Sequence, residues 1–92
     1  SKFNQIVVLN LNNTIVKRGD DSLLNIVRKT LPNIRELYVA GIVDVGLQYL
    51  KFLKKLIYFD YSDHLEIPIQ LLRDSLNEMP QLQTLILNRC SI

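Results

Sequence analysis

Leu82-Gln83-Thr84-Leu85-Ile86-Leu87 carries apolar residues at its first, fourth and sixth positions. The same spacing recurs as Ile6-x-x-Leu9-x-Leu11, Ile34-x-x-Leu37-x-Val39 and Leu56-x-x-Phe59-x-Tyr61. The starts at 6, 34, 56 and 82 are 28, 22 and 26 residues apart. With 48% of the chain hydrophobic, twelve filled slots arise by independent draws in about one register in 7,000. The spacing is therefore architectural, and internal repetition of this length points to a stack of similar units.

Each hexapeptide alternates in its second half, as in Leu9-Asn10-Leu11 and Leu37-Tyr38-Val39. Period two predicts a strand with one buried face. The intervening segments predict helices. Asp20, Asp21 and Ser22 offer an N-cap to a helix striped by Leu23, Leu24, Val27 and Leu31. Leu47, Leu50 and Leu53 form a stripe after Asp44, another candidate cap. Pro68 sits where a helix starts, because its missing N–H is an orphan there anyway. Ile69, Leu72, Leu76 and Met79 then step by three, four and three, as an amphipathic helix does. Two helix exits carry proline, Leu31-Pro32-Asn33-Ile34 and Met79-Pro80-Gln81-Leu82, whereas Lys54-Lys55-Leu56 does not.

Strand–helix units of 22 to 28 residues resemble leucine-rich repeats, and the resemblance covers nearly the whole chain. The subtype of F-box proteins, substrate receptors of ubiquitin ligases, is the most similar. Leu82 to Cys90 matches the Leu-x-x-Leu-x-Leu-x-x-Cys half of its repeat. Ile42-Val43-Asp44-Val45-Gly46-Leu47-Gln48-Tyr49-Leu50 resembles the other half. The cysteine slot departs from the pattern, holding Thr14, Ile42 and His64 in the other units, and no F-box segment is present. The resemblance implies an α/β fold: a right-handed solenoid, or horseshoe fragment, with four parallel strands on the concave face and helices on the convex face. Residues 1–92 are expected to form one such domain, part of a longer chain, since neither end shows a polar capping unit. Bare end strands invite edge pairing with another chain or with the rest of the parent protein.

The bulk composition narrows the function classes. Eleven basic against nine acidic residues give a net charge of +2, with no basic stripe to grip nucleic acid. Lys51, Lys54 and Lys55 suit the last turn of a helix. No apolar run reaches the eighteen or so residues of a membrane span, and Ser1-Lys2-Phe3-Asn4 does not open a signal peptide. A single cysteine, Cys90, forms no internal bridge, which favours an intracellular location, cytoplasm or nucleus. Asn12-Asn13-Thr14 is a formal glycosylation acceptor in a sequence without other secretory signs.

Candidate chemistry is sparse. Asp60, Asp63, His64 and Glu66 cluster in sequence but lack a recognised metal-ligand spacing. His64 shares its slot with Cys90, and in the family that slot is structural, a polar side chain bonding the loop backbone. Cys90 would need a base, and the lone histidine lies one unit away. Gly19, Gly41 and Gly46 form no phosphate-binding pattern and fit turns. No cofactor motif is present, and no catalytic group is expected.

The positions between the inward slots are more informative. Stacked by unit, they read Val8, Glu36, Tyr58, Thr84, then Asn10, Tyr38, Asp60, Ile86, with Asn88 beyond. Tyrosine brings large contact area with a polar tip, which enriches it at interfaces, although strand propensity also favours Val, Ile and Tyr. The expected partner-binding residues are Glu36, Tyr38, Tyr58, Asp60, Ile86 and Asn88. The expected function is a non-catalytic protein-interaction module with a concave binding surface. The resemblance implies substrate recognition in a cullin-type ubiquitin ligase. The alternative is a structural solenoid docked permanently in a larger assembly.

Overall fold

The computed structural model describes residues 5–14 and 21–91. Gly19, the candidate cap Asp20 and the first four residues lie outside them. The elements follow in the order β1 (Val8–Asn10), α1 (Leu23–Thr30), β2 (Glu36–Tyr38), a 3₁₀ helix (Leu47–Phe52), β3 (Tyr58–Asp60), α2 (Ile69–Asn77) and β4 (Thr84–Ile86). The strands make one parallel sheet in the order β1-β2-β3-β4. Leu9, Leu37, Phe59 and Leu85 stand side by side in register, as the recurrent spacing predicts. The fold is thus α/β with helical connections between neighbouring parallel strands.

One face of the sheet packs on the helices. Leu37 and Phe59 are fully buried and share a core with Leu24, Val27, Leu50 and Leu72. The central units bury all their slots: Ile34, Leu37, Val39, Leu56 and Phe59 completely, Tyr61 nearly so. In the outer units, Ile6, Leu9 and Leu11, and Leu82, Leu85 and Leu87, are only half-buried.

The backbone repeats as faithfully as the side chains. Asn13, Gly41, Asp63 and Arg89 hold the same place after successive strands, and each has positive φ, between 56° and 75°. The amides of Asn13, Gly41 and Asp63 donate to the carbonyls of Ala40, Ser62 and Asn88 in the next unit. Before the strands, Ile34, Leu56 and Leu82 donate to Leu31, Leu53 and Met79 in one recurring turn. The exit without proline closes like the other two, so proline favours this turn but is not required for it.

The expected helix starts hold in part. Ser22 occupies the N-cap of α1, but its side chain caps nothing. The amide of Leu24 is instead satisfied at 2.8 Å by the carbonyl of Val45 from the next unit. Asp44 is no cap. It sits in a turn with φ of 56°, and left-handed Gly46 directly precedes the 3₁₀ helix. Pro68 lies one residue before α2, its carbonyl accepting from Leu72 at 2.9 Å. The second helix also differs in type, being 3₁₀ rather than α. Its stripe Leu47, Leu50 and Leu53 steps strictly by three, the period at which 3₁₀ side chains eclipse. Six residues at about 2.0 Å rise cover about 12 Å, the span of the eight-residue α1 at about 1.5 Å. The unit of only 22 residues thus spans the same layer with fewer residues.

Candidate functional site

Strand alternation sends Glu36, Tyr38, Tyr58 and Asp60 to the sheet face away from the helices. Glu36 stands opposite Tyr58, and Tyr38 opposite Asp60. All four are half-buried. The tyrosine rings meet diagonally, with centroids 5.1 Å apart and planes tilted by 40°. The Tyr38 hydroxyl donates to Glu36 Oε1 at 2.9 Å, and Asp60 Oδ1 accepts from the Ser62 amide at 3.0 Å. The Tyr38 phenol is raised above its ordinary value, chiefly by its bond to Glu36, then by desolvation and by the charges of Glu36 and Asp60. The structure therefore brings four of the expected binding residues together in a negative, aromatic cluster.

Ile86 extends this face as the neighbour of Asp60 on β4. Asn88 does not join the cluster. It lies in the turn after β4, where its amide donates to Ser62 Oγ and its carbonyl accepts from Asp63. Val8 and Asn10 occupy the exposed end of the face on β1.

His64 and Cys90, the two residues weighed for catalysis, are directed at the backbone. His64 is buried, its Nδ1 3.0 Å from the Tyr61 carbonyl and its Nε2 2.8 Å from the Ile42 carbonyl. Its ring stacks on Tyr61, with centroids 3.7 Å apart. The Cys90 thiol points at the same Tyr61 carbonyl, at 3.4 Å. Thiol and imidazole thus share an acceptor instead of addressing each other as nucleophile and base. Burial pushes the Tyr61 phenol up, with Cys90 and Asp44 adding to the effect. Asp63 is forked by Arg89, Nε to Oδ1 and Nη2 to Oδ2, which holds its carboxyl below the usual range. Among the described residues no group of three or more His, Cys, Asp or Glu is placed to hold a metal ion. Asn12, the formal glycosylation acceptor, is half-buried, its Oδ1 accepting from the Ala40 amide at 2.8 Å.

Two features escape a reading of the strands alone. A cavity of about 750 Å³ opens between the loops after β2 and β3. Val45, Tyr61, Pro68 and Leu71 contribute to its lining, as do the exposed Val43 and Leu65. The Arg28 guanidinium lies 5.5 Å from the Tyr49 ring and 5.0 Å from the Phe52 ring, tying α1 to the 3₁₀ helix. Column logic extended past the strands would have found the Asp63–Arg89 pair, since the two share one slot in successive units. No such signal marks the cavity, which depends on how the loops 39–46 and 61–68 meet.

Among the described residues no helix is long and apolar enough to cross a membrane. No protein-family model matches the chain, and neither a curated protein nor a solved structure is significantly similar to it.

Proposed function

We propose that this chain is a leucine-rich-repeat solenoid acting as a non-catalytic protein-interaction module, with the open face of its sheet as the binding surface. The observation that carries the reading is the Tyr38–Tyr58 contact at 5.1 Å on the sheet face turned away from the described helices. Paired half-buried tyrosines offer a large, rigid contact area at low entropic cost, as interface anchors do. The solenoid assignment draws support from the in-register columns and from the positive-φ turn at Asn13, Gly41, Asp63 and Arg89. The Cys90 thiol bonded to the Tyr61 carbonyl matches the structural slot of the F-box subtype. By that resemblance the partner is a substrate delivered to a cullin-type ubiquitin ligase, inside the cell.

The test compares proteins retained by the wild-type chain and by Tyr38→Ala/Tyr58→Ala, with circular dichroism to show that the variant is folded. Partners lost with the tyrosines support the reading, and an unchanged set overturns it. A second reading, permanent docking within a larger assembly, is favoured by the half-buried outer columns Leu9 and Leu85. On that reading β1 or β4 pairs with another chain, and light scattering at high concentration reports the exposed edges as self-association.

A further inference from the structure

We infer that the open face binds the guanidinium of an arginine carried on an extended partner segment. This rests on the interaction-module reading and adds the chemistry of the occupant. Glu36, Tyr38, Tyr58 and Asp60 form a square on two adjacent strands, tyrosines on one diagonal and carboxylates on the other. Strand spacing near 4.8 Å and a rise near 3.3 Å per residue put diagonal backbone positions roughly 8 Å apart. The tyrosine rings close their own diagonal, so a carboxylate flanks the aromatic pair on each side.

The charge of this square opposes that of the chain. The net charge is +2, yet the face positions Val8, Asn10, Glu36, Tyr38, Tyr58, Asp60, Thr84 and Ile86 include no lysine or arginine. Arg89 is near enough for its charge to sense Asp60, but its guanidinium is committed to Asp63. Each carboxylate spends one oxygen on an internal bond, Glu36 on the Tyr38 hydroxyl and Asp60 on the Ser62 amide. These bonds orient both groups before anything binds, which lowers the ordering cost of association. A planar, weakly hydrated guanidinium stacks on aromatic faces and forks onto carboxylate oxygens, whereas an ammonium is a compact, strongly hydrated point charge. The square therefore favours arginine over lysine.

The test titrates the isotope-labelled 92-residue chain with a blocked Ala-Ala-Arg-Ala-Ala peptide and with its lysine and citrulline counterparts, followed by amide chemical shifts. The arginine peptide is expected to shift the amides of Glu36, Tyr38, Tyr58 and Asp60, and to bind at least about tenfold more tightly than the other two. Glu36→Gln/Asp60→Asn preserves both internal acceptors and removes both charges, and is expected to weaken arginine binding about tenfold or more. Tyr38→Phe keeps the ring and stays within about threefold. Equal binding of the three peptides, or shifts confined to another surface, overturns the inference even if no variant folds. A protein captured through Tyr38 and Tyr58 without any arginine requirement also overturns it, while leaving the interaction-module reading intact.

Discussion

His64 shows how one side chain couples successive units. Its ring bridges the carbonyls of Ile42 and Tyr61 and stacks on the Tyr61 ring in a buried site. His64→Ala removes both contacts and leaves a hole against Tyr61, so a loss of about 3 kcal/mol in denaturant unfolding is expected. Cys90→Ala, at a half-buried site with a weak thiol donor, is expected to cost under about 1 kcal/mol in the same assay. Tyr61 and Tyr38 give the alkaline behaviour. Both phenols are raised from 10.0, Tyr61 chiefly by burial and Tyr38 chiefly by its bond to Glu36. A raised folded-state value means the fold favours the neutral phenol. That contribution is complete below the unfolded value near 10 and is lost as pH climbs through the higher folded one. Ultraviolet titration of Tyr38→Phe and Tyr61→Phe is expected to show that each lacks a late-ionising phenol of the wild type.

At the scale of the element, the post-strand turn was legible only in part. The strands could be read because one period-two pattern recurs with the same slots filled. The left-handed position after each strand holds Asn13, Gly41, Asp63 and Arg89, four residue types whose only common feature is a backbone conformation. Composition hides such a column until the register is known. The 3₁₀ helix was hidden for another reason. Its step of three was present in Leu47, Leu50 and Leu53, but short stripes fit an α-helix almost as well. The two described glycines now separate by what surrounds them. A Cβ on Gly41 would meet the end of the Asn13 side chain at 2.6 Å, and neighbouring units place asparagine and aspartate in the same left-handed turn. Gly41→Asn is expected to cost under about 1 kcal/mol, because asparagine tolerates this conformation. A Cβ on Gly46 would meet Ser22 Cβ at 2.6 Å with φ at 85°, so Gly46→Ala strikes the start of α1 as well as straining its own backbone. A loss of about 2–3 kcal/mol is expected, and thermal melts of the two variants decide whether the contrast holds.

Across the whole molecule, burial falls off from the two central units to the outer ones, and stability should follow. Leu37 and Phe59 are fully enclosed, while Leu9 and Leu85 in the same row are half-buried. Leu37→Ala is expected to cost about 3–5 kcal/mol, the range for truncating a fully packed leucine. Leu9→Ala and Leu85→Ala should cost about half of that, since transfer energy scales with the area actually removed from water. Hydrogen exchange reads the same gradient without mutation. The Val39 amide donates to Asp60, at the centre of the sheet, and the Leu11 amide donates to Tyr38 from the outermost strand. If the outer units open separately, Leu11 exchanges through local opening and Val39 only through global unfolding. Equal protection at both amides would show that the stack opens as one unit. Concentration supplies the further control. A second copy pairing along β1 or β4 would slow exchange at that edge as protein is added, and would slow Val39 as well, because binding to the folded chain raises the free energy of global unfolding.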